Sequence, residues 1–209
     1  MTRMQLGLLA IAICGLGALT GRPAAAQYYI AGSLGLMAPE DNDISGPGFA
    51  GHESLDTGIF TSGALGFRFT PNWRVEGEFA YGETRASRLS GPYGSLPIYG
   101  GGANLYNFTA NAYYDFHVAL PVTPYLGGGI GIAHEQADGF SIADTTAPAN
   151  TSNNFVWQLE AGFAYDITSR LAIVPSYRYM HINDGGMYPG MSAGDTAVHI
   201  FKVGLRYLF

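Results

Sequence analysis

The chain has 209 residues, a length that suits one domain, and its formal net charge is −6. Only 12% of the residues are charged, against about 25% in a typical soluble domain, whereas 13% are aromatic and 30 are glycine. The longest apolar run after the N-terminus is broken by prolines and glycines and falls short of the roughly 20 apolar residues of a spanning helix, which excludes a helical membrane protein.

Residues 1–26 have the pattern of a secretory signal peptide. Arg3 gives the positive start, an apolar stretch follows, and small residues before Gln27 predict cleavage at that point. The only cysteine, Cys14, lies inside this segment, and the large residue before it argues against lipoprotein cleavage. We therefore expect a mature chain, residues 27–209, that is exported and forms no disulfide.

The remaining sequence alternates strand-like segments with turn-rich gaps and shows no helical periodicity. Most segments approach the roughly 9–11 residues that a tilted strand needs to cross a bilayer. We predict eight strands, at residues 28–37, within 57–69, and at 73–82, 105–116, 123–133, 155–166, 171–180 and 196–209.

The gaps between these strands alternate in length. Three gaps are short, with the sequences TPN, HVALPV and ITSR. Four gaps are long and rich in Gly, Pro, Asp and Ser, at residues 38–56, 83–104, 134–154 and 181–195. Short turns at one end and long loops at the other are typical of an outer-membrane barrel, and an even strand count places both ends of the chain in the periplasm.

Charge divides the two faces of the predicted strands, because successive side chains point to opposite faces. The residues at one set of alternate positions, one parity of each strand, are apolar and uncharged. This suits a lipid face, since an Arg or Lys at the bilayer midplane costs about 2–4 kcal/mol. The other parity holds five cations and five anions, which we predict to form a balanced interior ion-pair network: Arg68, Arg74, Glu76, Glu78, Asp115, Glu160, Asp166, Arg178, Lys202 and Arg206.

The excess negative charge lies outside the strands. Loss of Arg3 and Arg22 with the signal changes the net charge from −6 to −8. The long loops hold eleven acids and two arginines, and Arg170 lies in a short turn, which together account for this −8. Acidic loops argue against a nucleic-acid partner.

Three local features modify the strand pattern. Gly127, Gly129 and Gly131, on the inward parity, are expected to make room for arginines and tyrosines opposite. Pro175 lies in the middle of a predicted strand and has no backbone N–H to donate to a neighbouring strand, so we predict a bulge at this position. His199 shares the lipid-facing parity, so we expect it at or above the outer interface.

Four segments carry a family resemblance: GALGFRFTPNWRVEGEFAYG, PVTPYLGGGIGIA, WQLEAGFAYDITSRLAIVPSYRYM and the terminal VGLRYLF. Across the whole mature chain the sequence resembles the outer-membrane β-barrel domain superfamily, with its OmpA-like, porin-family and opacity-like surface antigens of Gram-negative bacteria. The resemblance implies an all-β fold in the bacterial outer membrane, an eight-stranded antiparallel up-and-down transmembrane barrel with four long extracellular loops and short periplasmic turns.

The resemblance also implies partners. Outer-membrane lipid, lipopolysaccharide and the barrel-assembly machinery are expected, with host or surface ligands at the loops. In this family the alternating terminal residues are the assembly signal, and the matching positions are Phe201, Val203, Leu205, Tyr207 and Phe209. No peptidoglycan-binding domain is expected after the barrel.

The sequence favours a structural or surface-interaction role, adhesin-like or antigen-like, without enzymatic activity or cofactor. Glu76 and Glu78 suit acid–base chemistry, but an ion-pair role is favoured. The histidines lack metal-ligand spacing. The alternatives are a narrow porin, a soluble lipocalin-like carrier, and a lipid-A-modifying enzyme using His52, Ser54 and Asp56.

Overall fold

The computed structural model describes residues 27–40, 42–46, 49–91, 94–97, 99–100, 102–137, 140–142, 145–147, 149–183, 192–193 and 195–209. The signal peptide predicted at residues 1–26 lies outside the described residues and stays a prediction. In the part of the chain that is described, no helix is long and apolar enough to span a membrane.

Eight long strands close into one antiparallel barrel. Each strand pairs with its successor along the chain, and the last pairs with the first, which is an up-and-down topology. The strands are β1 (Gln27–Pro39), β2 (Gly58–Arg68), β3 (Trp73–Gly91), β4 (Gly102–Asp115), β5 (Thr123–Ala137), β6 (Asn150–Asp166), β7 (Leu171–Ile182) and β8 (Thr196–Leu208). The predicted eight-stranded barrel is confirmed.

Two of the periplasmic turns share a side-chain hydrogen-bond pattern. Thr70 Oγ1 accepts from the backbone N–H groups of Asn72 and Trp73. Thr168 Oγ1 accepts in the same way from the backbone two and three residues later. A threonine hydroxyl that holds the following backbone closes a tight reversal, which explains why the TPN and ITSR gaps are so short.

The strands continue beyond the predicted boundaries at the extracellular end. β3 extends to Gly91, and the strand Phe49–Leu55 pairs with its upper part. Asn42–Gly46 pairs with Phe49–Leu55 and also with Ser192–Ala193. Tyr99–Gly100 pairs with Phe140–Ile142, which pairs with Thr145–Ala147, and Gly94–Pro97 pairs with β3. Segments predicted as loops are therefore partly sheet.

The apolar parity faces outward, as predicted. On β8 and the residue after it, Phe201, Val203, Leu205, Tyr207 and Phe209 are 60%, 56%, 53%, 38% and 68% exposed. Alternate positions on the same strand, from Ile200 to Arg206, are buried inside the barrel. This exposed apolar surface is the part of the barrel that contacts lipid.

Aromatic rings pair at both ends of the lipid-facing surface. Near the extracellular end, the rings of Trp157 and Tyr179 lie 5.6 Å apart. His199 joins this group, with Nδ1 2.7 Å from the Tyr177 hydroxyl and Nε2 2.7 Å from Oε1 of Glu40, which follows β1. Such amphipathic rings favour the headgroup level of a bilayer.

The bulge predicted at Pro175 is wrong. On one side of the proline Gly162 lies opposite Ser176, and on the other side Tyr165 lies opposite Ile173. Both strands advance by three residues between these pairs, so no residue is inserted. The missing proline N–H interrupts the β6–β7 ladder locally without shifting its register.

Candidate functional site in the barrel interior

Three groups of inward-facing side chains follow one another along the barrel axis. The periplasmic cluster consists of Arg68, Arg74, Glu76, Asp115 and Arg206. The central cluster consists of Glu78, Glu160, Arg178 and Lys202. The apolar plug, on the extracellular side of the central cluster, consists of Met37, Phe60, Ala80, Leu105, Ala133, Val156, Met180, Ile182, Val198 and Ile200.

Arg178 joins opposite walls of the barrel. Its guanidinium donates two hydrogen bonds to Glu78, at 2.5 and 2.8 Å, and two to Glu160 Oε2, at 2.9 and 2.6 Å. Glu78 is on β3 and Arg178 on β7, four strands apart in a ring of eight. Lys202 Nζ lies 3.1 Å from Glu160 and 3.7 Å from Glu78. Two cations and two carboxylates thus form a neutral bridge across the interior.

Two tyrosines connect the central and periplasmic clusters. The hydroxyls of Tyr113 and Tyr125 donate to Glu160 at 3.3 and 2.8 Å. The Arg74 guanidinium carbon lies 3.9 Å from the centre of the Tyr113 ring, a cation–π contact. A side chain at Gly127 would overlap this Tyr113 ring, so the expected room for a tyrosine is present at that glycine.

The periplasmic cluster shares its two carboxylates among several donors. Arg74 Nε donates to Asp115 Oδ1 at 3.0 Å, and its Nη1 donates to Glu76 Oε1. Tyr29 also donates to Glu76, at 2.6 Å, and Arg68 donates to Asp115 at 3.3 Å. Glu76 is therefore engaged from its own strand and from β1, and Asp115 is engaged from β2 and β3.

Two of the ten predicted network residues make no ion pair with any described residue. Arg206 is buried inside the barrel, whereas Asp166 is exposed. Asp166 is the last residue of β6, so its inward parity places it at the periplasmic rim, in contact with water. Of the ten residues, four cations and four carboxylates are buried, Arg68 is half-buried and Asp166 is exposed, so the two half-exposed or exposed members lie at the periplasmic end of the predicted network.

The apolar plug was missed by the sequence reasoning, which expected charges to dominate the interior. Phe60, Met180 and Ile200 are completely buried. The Phe60 ring lies 5.6 Å from the Arg178 guanidinium carbon, so the plug rests directly on the central cluster. A signal was present, since these residues share the parity of the interior charges towards the extracellular ends of their strands.

The alternative catalytic residues show no assembled site. Glu76 and Glu78 are each engaged by an arginine, Arg74 and Arg178 respectively, so neither is a free acid or base. The side chains of His52 and Ser54 lie outside the described part of the structure, and Asp56 is exposed. Among the described residues no group of three or more His, Cys, Asp or Glu side chains could hold a metal ion.

Comparison with known proteins identifies relatives across the chain. The family model described as "Outer membrane protein beta-barrel domain" matches residues 6–209. The chain is 30% identical over 118 residues to outer membrane protein PagN of Salmonella typhimurium, covering 49% of this chain and 48% of PagN. It is 29% identical over 136 residues to an uncharacterized protein of Brucella abortus, covering 51% and 48%. The chain thus spans about half the length of these curated relatives.

Two solved structures share the fold. Neisserial surface protein A superposes with a TM-score of 0.58 at 18% identity, over 88% of this chain and 99% of the neisserial one. OprG from Pseudomonas aeruginosa gives a TM-score of 0.56 at 18% identity, over 88% and 96%. At this identity the likeness concerns the barrel alone. The family match spans all eight strands described above, so the chain belongs to the outer membrane protein β-barrel domain family and is a protein of the bacterial outer membrane.

Proposed function

We propose that this protein is a non-conducting barrel that holds an interaction surface at the outside of the cell. The observation that carries the proposal is the obstructed interior, in which a neutral ion-pair bridge lies beneath a layer of buried apolar side chains. An eight-stranded barrel is just wide enough for its side chains to fill, and the apolar plug and the paired charges beneath it occupy most of that width.

The two interior layers oppose ion flow in different ways. The central cluster occupies the middle of the barrel with four mutually paired groups, and an ion crossing it must displace one of these pairs. The side chains of the apolar plug cannot replace the hydration shell of a passing ion, which is costly, and the buried Asn107 lies among them, between Ala80 and Ala133. Opening a path therefore requires changes in both layers, which disfavours the narrow-porin alternative.

The extracellular segments favour a binding role. Pairing of the strands Asn42–Gly46, Phe49–Leu55 and Ser192–Ala193 connects the first and last loops, and pairing with β3 connects the second. Backbone pairing reduces the entropy that loops lose on binding, so the connected strands form a preorganised platform. The loops also carry most of the excess negative charge, which favours host or surface ligands with positive patches.

The outward face of β8 supports two further parts of the proposal. Its contiguous exposed apolar residues, from Phe201 to Phe209, suit contact with the lipid and lipopolysaccharide of the outer membrane. We propose that the same residues are recognised by the barrel-assembly machinery before insertion, since an unpaired apolar strand is a ready template for strand addition.

Planar-bilayer recording on the refolded protein tests the proposal. We expect no steady conductance from the wild-type barrel or from Phe60→Ala, which thins the plug but leaves the central cluster intact. Steady channels from the wild-type protein would establish the porin alternative. Adhesion of cells that display the barrel with and without the segment 42–55 then tests the surface role, and equal adhesion at equal display would contradict a binding function for these strands.

A further inference from the structure

Arg206 is a buried cation that makes no ion pair with any residue of the described part of the chain. Its side chain points into the barrel from β8 and is only 4% exposed. Its Nε and Nη1 groups have no hydrogen-bond partner among the described residues. The residues beside it on the adjacent strands are Ala31 and Ala172, whose side chains cannot accept a hydrogen bond. A buried guanidinium in this situation is costly unless something else accepts its hydrogen bonds.

The periplasmic cluster does not supply that acceptor. It contains three arginines and only two carboxylates, and both carboxylates are already engaged by Arg68, Arg74 or Tyr29. The central cluster is neutral by itself, with two cations and two carboxylates. The uncompensated positive charge in these two layers therefore belongs to Arg206.

Arg206 lines a cavity inside the barrel. The cavity has a volume of about 40 Å³, and its walls include Arg74, Lys202, Ser33 and Ser62 in addition to Arg206. At about 10–15 Å³ for a water molecule, this volume holds about three waters or one small ion. Glu76, Glu78 and Glu160 also reach the walls, but each of these carboxylates is held by an arginine or by Lys202.

We propose that this cavity binds a single small monovalent anion of halide size, with Arg206 as its main ligand. One negative charge neutralises the excess of the periplasmic cluster and accepts the free guanidinium hydrogen bonds. A divalent oxyanion such as sulfate carries more charge than the single unpaired guanidinium balances. The anion enters from the periplasmic end, where the Arg68 side chain is 24% exposed.

Bromide is the probe, because its anomalous scattering locates it directly. Crystals of the refolded barrel grown in sodium bromide should show an anomalous peak within hydrogen-bonding distance of the Arg206 guanidinium. In solution, the thermal unfolding midpoint in detergent should rise as bromide replaces gluconate at constant ionic strength, because a ligand that binds only the folded state stabilises it. A crystal with no peak beside Arg206 would overturn the proposal.

Matched variants separate a site from a general salt effect. Arg206→Met should unfold at the same temperature in both salts, whereas Arg170→Met, which removes an exposed cation from a periplasmic turn, should respond like the wild type. A bromide response that persists in Arg206→Met would contradict the assignment. If Arg206→Met does not refold, the anomalous map of the wild-type crystal decides alone.

Asp166 is the rival counter-ion, because both it and Arg206 lie opposite Ala172 on the adjoining strands. The proposal expects Asp166→Asn to respond to bromide as the wild type does. A response that appears only in Asp166→Asn would show that this carboxylate, and not an anion, neutralises Arg206, and would overturn the proposal.

Discussion

Replacing Arg178 by methionine is the sharpest test of the central cluster. Arg178 is 0% exposed and donates four hydrogen bonds to Glu78 and Glu160. The variant leaves two buried carboxylates with Lys202 as the only cation of the cluster. Removal of one partner from a buried ion pair costs about 3–5 kcal/mol, so we expect a loss of that size in the free energy of unfolding.

The double variant Arg178→Met with Glu78→Gln is the matched control. It removes one cation and one anion and leaves the Lys202–Glu160 pair, 3.1 Å apart, so the cluster is neutral again. We expect the double variant to recover most of the lost stability, which measures the coupling between the two residues.

Urea unfolding in lipid vesicles provides the assay. The chain has two tryptophans, Trp73 and Trp157, both on the outward face, so their fluorescence reports the transfer of the barrel wall out of lipid. The mobility shift of the unheated barrel on a denaturing gel checks that each variant is folded. A loss below about 1 kcal/mol for Arg178→Met, or a double variant as unstable as the single one, would refute the reasoning.

Two further predictions concern the wall. Val203→Arg places a cation on the lipid face and should destabilise the inserted barrel by about 2–4 kcal/mol. The control Ser141→Arg, at an extracellular strand, should fold in normal yield. Equal folded fractions of the two variants on gels would contradict the assignment of the lipid face. Gly66→Ala places a methyl group against the Tyr29 ring and should cost about 1–3 kcal/mol, whereas Gly63→Ala, with open space around it, should be neutral in urea unfolding.

The lipid face was predictable because it depends on local alternation alone. A strand that alternates apolar and polar residues has its faces fixed by the backbone, whichever strand becomes its neighbour. Phe201, Val203 and Leu205 were assigned outward in this way and are exposed. The same reasoning failed at Pro175. A missing N–H is compatible with a bulge that shifts the strand register and also with a single missing hydrogen bond in an unshifted ladder, and the sequence does not distinguish the two.

The partners within the interior were not predictable from alternation. Glu78 and Arg178 are 100 residues apart in the chain and meet only because β3 and β7 lie on opposite sides of the closed ring. That arrangement depends on the strand count and the stagger between strands, which the side-chain pattern of one strand does not contain. Sequence reasoning therefore assigned both residues to the interior without pairing them.

The position of the barrel rim explains the one charge that was misplaced. Asp166 and Glu160 share the inward parity of β6, yet Glu160 is buried and Asp166 is exposed, because the strand ends at the rim. Parity alone treats the two residues as equivalent, so it predicts a neutral interior. Because Asp166 lies at the rim, Arg206 has no ion-pair partner among the residues that the structure describes. A charge count that balances in the sequence therefore still leaves one buried guanidinium with two unpartnered donor groups, which is why the proposed anion site is placed at Arg206.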